Sequence, residues 1–330
     1  MVGRCRLFFA VAAAALAGAW VSAPVRAAGF PDQPVRIISD SAPGSANDVT
    51  LRLLSEELGK IWGQQVLVIN QPGAGGAISA RAAAQAAPDG YTLYMPAASL
   101  FLALKGAPGV AENMPVVLPR DFLPIGYITA QPMFIGSSLA LGFKTIPDVI
   151  AYAKKNPGKL SYATTGRGRI THLTMELLQV VAGVEMQLVP YAGGPAAAMP
   201  DVVSGRVGIV LEGYGGLASA MSGNIIQSLA VASAQRLPGF ETLPTVAETY
   251  PGFEAGGWEV LVAPVGTPAA IVDKIAVDLD KALDSKDMNA KLNALGAFTR
   301  HMTPAQTTAY TLSQQATWKP ILEKVARENP

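Results

Sequence analysis

The run Thr164-Thr165-Gly166-Arg167-Gly168-Arg169-Ile170-Thr171-His172 brings hydroxyls, glycines, two guanidiniums and an imidazole together at the point where a helical pattern begins. That combination suits an anion. Glycine backbone turns its N–H groups outward, a helix N-terminus adds positive potential, and arginine pairs with a carboxylate through two parallel hydrogen bonds. The phosphate of a nucleotide and the carboxylate of a small acid both fit. A second run, "QPGAGG", follows an apolar strand candidate, where Gly73, Gly75 and Gly76 permit positive φ and close approach to a ligand, though they serve a tight turn equally well. Of Arg167 and Arg169, one is expected on a solvated rim and the other within reach of ligand. His172 is expected to cap or pack locally rather than to donate to ligand, and His301 to lie on the surface.

Catalytic patterns are missing. The chain has no GxxxxGK[ST], HExxH, paired CxxC or GxSxG run, and "GRGRIT" lacks the third glycine of a dinucleotide fingerprint. Two histidines are too few for a histidine-built metal centre and give little room for a serine triad. The expectation is therefore binding without turnover, with no catalytic residue, no cofactor and no metal.

These loops need a scaffold. "VRIIS", a loop, then Leu51, Leu54, Leu58 and Ile61 at helical spacing, capped by Ser45 or Asn47, begin an alternation. "VLVIN", "AISARAAAQAA" and "YTLYM" continue it as βαβαβ, which implies a parallel sheet with ligands at the carboxyl ends of its strands. The pattern restarts with a helix near 147–155, "KLSYAT", the stripe Ile170, Leu173, Leu177 and Val181, and "MQLVPY". "AAAMPDVVSG" reads as a helix interrupted near Pro200, and "RVGIVLE" and "IIQSLAVAS" as strands of a second small sheet. The tail is helical and is expected to pack on one lobe. Crossings between lobes are placed near Pro132-Met133 and Pro251-Gly252-Phe253.

Arg4 and Arg6 before an apolar run from Leu7 to Ala19, then Val25-Arg26-Ala27, have the form of a secretory signal peptide cleaved near Ala27. Its removal takes away three arginines and no acid, so the formal charge falls from +1 to about −2. Nucleic acid is not an expected partner. The single cysteine, Cys5, leaves with the signal, so the exported chain has neither disulfide nor thiol chemistry.

In order along the chain, "NQPGAGG", "APDGYTL", "RDFLPIGYI", "VPYAGGPAAAMPDVVSGRVGIVLE", "LPTVAE" and "GWEVLVAPVGTPAAIVDKI" resemble the Bug family, the TctC-like extracytoplasmic receptors of tripartite tricarboxylate transporters. The resemblance covers nearly the whole chain after the signal. It implies an α/β periplasmic binding-protein fold of two lobes, with a first lobe at 28–130, a second at 131–252, and a return to the first at 253–330. It also implies a small organic acid held in the cleft, membrane transporter subunits as partners, a periplasmic location and a monomer. An orphan receptor that reports its solute instead of delivering it is the alternative.

Carried over by position, the first-lobe groups are Ser45 and Asn47, then Gly73, Ala74, Gly75 and Gly76, then Ala98 and Ser99. The second lobe offers Thr164, Thr165, Gly166, Arg167, Gly168, Arg169 and His172, then Tyr191 and Gly193, and Glu212 where an aspartate is common. In this reading Thr164, Thr165 and the N–H groups of Gly166 to Gly168 receive the carboxylate. The paired arginines and the segment 97–119, which departs from the family pattern, imply an atypical ligand.

Overall fold

The computed structural model describes residues 29–103, 114 and 116–328. The signal segment, and 104–113 and 115 of the atypical segment 97–119, lie outside the described residues.

Two mixed sheets form the two lobes. In the first, β1 (Val35–Ser39), α1 (Ala46–Trp62), β2 (Val66–Asn70), α2 (Ala77–Ala84) and β3 (Thr92–Met95) make the βαβαβ unit, with β1 parallel to both β2 and β3. After the single turn α3 (Ser99–Leu102) the chain adds β4 (Phe122–Pro132). It then passes through Met133 into β5 (Phe134–Ser138) of the second sheet. There follow α4 (Ile146–Lys155), β6 (Ser161–Thr164), α5 (Ile170–Ala182), β7 (Gln187–Pro190), α6 (Pro195–Val203), β8 (Ile209–Glu212), α7 (Tyr214–Ser222) and β9 (Ile226–Val231). The return places β10 (Gly256–Pro264) in the first sheet, followed by α8 (Ala269–Asp284), α9 (Lys286–Ala294), β11 (Phe298–Thr299) and α10 (Pro304–Glu328). The sheet orders are β11-β4-β10-β3-β1-β2 and β7-β6-β8-β5-β9.

Helix α1 forms because its apolar residues share one face: Leu51, Leu54 and Leu58 are fully buried in a core shared with β1, β2 and α8. Each contributes about 1.5–3 kcal/mol by leaving water. The Ser45 hydroxyl caps the helix by accepting the Asp48 N–H at 3.4 Å, and Gly63 ends it in the left-handed conformation. Ile61 departs from the expected stripe and is partly exposed, and Trp62 takes the buried place, its indole N–H donating to Asp278 at 2.9 Å.

Two further elements differ from expectation. Helix α6 runs through Pro200 without a break. The carbonyl that Pro200 leaves without a donor is that of Ala196, on the exposed side of the helix, where water can satisfy it. Helix α10 packs on both lobes: Tyr310 stacks edge-on against Tyr127 of β4 at 5.2 Å, while Trp318 and Leu322 join the core formed by Leu173 and Leu178 of α5. Its first half thus contacts β4 of the first lobe and its second half α5 of the second.

The crossing segments lie side by side. The Ala232 N–H donates to the Met133 carbonyl and the Ala255 N–H to the Ala232 carbonyl, each at 2.8 Å. A Cβ on Gly256 would come within 2.9 Å of the Gln131 carbonyl oxygen, so glycine is needed for the strands to meet at this point.

Candidate ligand-binding site

The carboxyl ends of both sheets face each other, and their loops line a cavity of about 290 Å³. From the first lobe come Asp40–Ala42, Ser45 and Asn47 at the start of α1, Pro72–Gly76, and Ala97–Ser99. From the second come Thr165–Arg167, Arg169–Thr171, Ala192 and Glu212, with Gly257 and Trp258 closing the hinge side.

Asp48 holds the first loop in shape. Its buried carboxylate accepts the Gly44 N–H at 2.8 Å, the Arg52 guanidinium at 2.9 Å and the Asn70 amide at 2.9 Å. Burial acts to raise this carboxyl, but those donors outweigh it and hold it below the ordinary aspartate range. Asp48 is thus a brace beneath the cavity wall.

Asp40, directly after β1, is buried, and its two oxygens are both engaged. One accepts the Ala97 N–H at 2.8 Å, and the other is ion-paired with Arg169 of the opposite lobe. Arg169 is itself largely enclosed, its side chain 12% exposed. Burial alone would lower its pKa, but the Asp40 charge overcomes that and raises it, so the guanidinium stays charged. Gly76 makes room for the pair: a Cβ there would meet an Asp40 carboxylate oxygen at 2.7 Å and Leu100 at 2.6 Å, and its φ of +98° disfavours any side chain.

Glu212 ends β8 on the cavity wall, 5% exposed. It accepts the Gly213 N–H at 3.1 Å. Burial pushes its carboxyl up to about 7, against weaker lowering by the Gly213 N–H and by the Arg169 charge. The run after it, Gly213-Tyr214-Gly215-Gly216, lies against the start of α1. A Cβ on Gly213 would meet the Ala46 Cβ at 2.6 Å, and one on Gly216 would meet the Glu212 Cγ at 2.7 Å. The lobes therefore touch next to the cavity.

Of the residues singled out by sequence, the cavity wall contains Ser45, Asn47, Gly73, Ala74, Gly75, Gly76, Ala98, Ser99, Thr165, Gly166, Arg167, Arg169 and Glu212. Ala74 shares the glycines' positive φ, at 46°, and the Ser99 hydroxyl is buried without a protein partner.

Thr164, Gly168, His172, Tyr191 and Gly193 are not in that wall, and the causes are local. The Gly166 N–H donates to the Thr164 hydroxyl at 2.8 Å, the Thr165 N–H to the Thr171 hydroxyl at 3.1 Å, and the Gly168 N–H to His172 Nδ1 at 3.0 Å. The loop thus satisfies the Thr165, Gly166 and Gly168 N–H groups itself, which leaves fewer backbone donors for a carboxylate than the sequence suggests. His172 is buried beneath the loop, its Nε2 3.4 Å from Glu176. The Tyr191 hydroxyl donates to Asp201, and it is Ala192 that reaches the cavity between Tyr191 and Gly193. Arg167 is exposed at the rim while Arg169 is enclosed. Sequence reasoning missed Asp40 and the role of Gly213 and Gly216; Trp258, which it allowed as an apolar wall or as core, is on the wall. An acid directly after a buried strand and the "EGYGG" run were the available signals.

Two α/β lobes with a partly open cavity between the ends of their sheets have the architecture of the periplasmic binding-protein class. A family profile described as tripartite tricarboxylate transporter family receptor matches residues 50–327. Protein BugT of Bordetella pertussis is 31% identical over 311 residues, covering 94% of each chain. The structure of periplasmic binding protein BugD superposes with a TM-score of 0.81 at 31% identity, over 90% of this chain and 98% of that one. The R. palustris protein Rpa4515, solved with adipate, superposes with a TM-score of 0.83 at 28% identity, over 90% and 98%. The chain belongs to the tripartite tricarboxylate transporter receptor family, among its Bug-type members, and like them it is a binding protein and not an enzyme.

Proposed function

We propose that this protein captures a small organic acid in the interlobe cavity and delivers it to membrane subunits of a tripartite-tricarboxylate type. The observation that carries the reading is the interlobe cavity with Arg167, Arg169, the Ser99 hydroxyl and the capped start of α1 on its wall. A volume of about 290 Å³ lies at the small end of ligand pockets, which selects a compact ligand. The adipate carried by a relative of the same fold is a compact dicarboxylate, and that class is our first choice here. The ligand carboxylate would be received by Arg167, Ser99, Thr165, Ser45 and Asn47, with the Gly73–Gly76 loop closing over it. The periplasmic BugD relative supports export to the periplasm, and the leader pattern supports cleavage near Ala27.

Differential affinity of the closed form for ligand is what a delivery receptor needs. A thermal-shift screen of the purified protein against mono-, di- and tricarboxylates, amino acids and neutral amides tests the reading. An acid present at 100 times its Kd stabilises the folded state by about 2.7 kcal/mol and raises Tm by roughly 5–10 °C. Stabilisation by neutral compounds alone would overturn the anion assignment.

A further inference from the structure

Four charged side chains stand on the cavity wall, Asp40 and Glu212 against Arg167 and Arg169, so the wall offers an entering anion no net positive charge. Asp40 and Arg169 are ion-paired with each other, so the enclosed guanidinium offsets a second acid only weakly. Glu212 is that second acid. It is enclosed on the same wall, with the Gly213 N–H as its one protein donor among the described residues. The elements packed on β8 add no compensating cation: β5 has no titratable group, Tyr162 of β6 donates its hydroxyl to Glu176, Asp201 of α6 is held by Tyr191 and Arg206, and Tyr214 of α7 stacks on Phe134 and Phe240. Glu259 of β10 is itself pushed well up by burial, with the Glu212 charge adding to that, and Tyr94 of β3 interacts with the Asp40–Arg169 pair, so neither supplies a cation. Arg167 stands at the exposed rim.

We propose that Glu212 meets the ligand as a neutral acid, so that each anionic ligand enters the cavity together with one proton from solvent, which resides on the Glu212 carboxyl and is donated to the ligand carboxylate as a hydrogen bond. The inference rests on the anion-receptor reading above. Two carboxylates enclosed side by side cannot both stay ionised without a cation between them, and sharing one proton removes the repulsion and makes a strong O–H···O bond. Gly216 supports the arrangement, since a side chain there would displace Glu212 from the wall. The same residue becomes a selectivity device: the protonated carboxyl favours ligands that present an acceptor at this wall. The free carboxyl titrates near neutrality, so the linkage acts in the ordinary pH range.

The test is isothermal titration of the purified protein with acetate, adipate and citrate, from about pH 6 to about pH 8.5, in pairs of buffers with different ionisation enthalpies. The expected result is uptake of close to one proton per bound ligand on the alkaline side, with affinity falling about tenfold per pH unit there. The Glu212→Gln variant should bind with pH-independent affinity and no proton uptake. Binding by the unaltered protein without proton uptake would overturn the proposal, as would unchanged uptake in Glu212→Gln. Absence of binding by all three acids at every pH would instead strike the anion-receptor reading, and this inference with it.

Discussion

Arg169, immediately before α5, is ion-paired with Asp40, immediately after β1, and the pair joins the two lobes inside the cavity that separates their sheets. Both side chains are largely out of water, and Asp40 is further fixed by the Ala97 N–H. A buried ion pair of this kind adds little net stability, but breaking it leaves a costly uncompensated charge. Its position makes it a contact of the closed state, because opening the lobes would hydrate both partners.

Asp40→Asn should therefore shift the lobes toward opening more than it should unfold them. The cost of an orphaned buried charge is about 3–5 kcal/mol as an upper limit, reduced here by hydration on opening. A loss of roughly 10- to 100-fold in affinity is expected, with a larger radius of gyration by small-angle scattering. The double variant Asp40→Leu/Arg169→Met should recover part of the compactness, giving a coupling between the two positions in a double-mutant cycle. Additive effects of the two single changes would show that the pair does not act across the cleft.

Gly213→Ala tests lobe contact separately from charge. The added methyl would stand 2.6 Å from the Ala46 Cβ, so one lobe must shift away from α1. Overpacking of this kind costs about 1–3 kcal/mol in the closed state. Because the open state is not crowded there, the cost should appear as a roughly 5- to 150-fold loss of affinity with little change in the denaturant midpoint of the ligand-free protein. A lowered midpoint with unchanged affinity would place the clash within one lobe instead.

The sequence carried the scaffold well and the site in part. β1 and β2 are legible to the residue because short runs rich in Val and Ile between loops have few other uses, and α1 is legible because a cap and a stripe agree. The loops at the strand ends follow from the sheet type. What was not legible depends on partners distant in the chain. Asp40 meets Arg169 across 129 residues, and nothing local distinguishes it from any acid after a strand. The "EGYGG" glycines read as flexibility until Ala46 is seen against them. The loop at 164–172 misled in the opposite direction. Its composition suits anion binding, yet Thr164, Thr171 and His172 take up the N–H groups of Gly166, Thr165 and Gly168.

Glu212 also predicts a pH dependence of the ligand-free protein. Its folded-state pKa, about 7, is above its ordinary value of 4.5, so the folded form binds more protons between these values. The contribution of Glu212 to stability accordingly falls as pH rises from about 4.5 to about 7, by roughly 3 kcal/mol in total. Glu212→Gln removes that loss. The variant should match the unaltered protein near pH 5 and exceed its Tm by several degrees near pH 8. Parallel Tm profiles for the two proteins across this range would contradict the assignment.

His172 separates a stabilising role from a binding one. Its Nδ1 accepts the Gly168 N–H, which leaves the Nε2 proton to face Glu176, and Glu176 also takes hydrogen bonds from Tyr162 and Gln179 at 2.9 Å each. Burial acts to raise the Glu176 carboxyl, but His172, Tyr162 and Lys324 together hold it down to about 2. A lowered carboxyl contributes stability that is fully present above its ordinary value of 4.5 and is lost as pH falls toward 2. His172→Ala removes one donor to Glu176 and leaves the Gly168 N–H without its acceptor, a cost of about 1–3 kcal/mol. Acid unfolding should then begin at a higher pH than in the unaltered protein. Ligand affinity should change less than about threefold, because the imidazole lies outside the cavity wall and its loss alters the loop only from below. An affinity loss of tenfold or more with unaltered acid stability would return His172 to the binding surface.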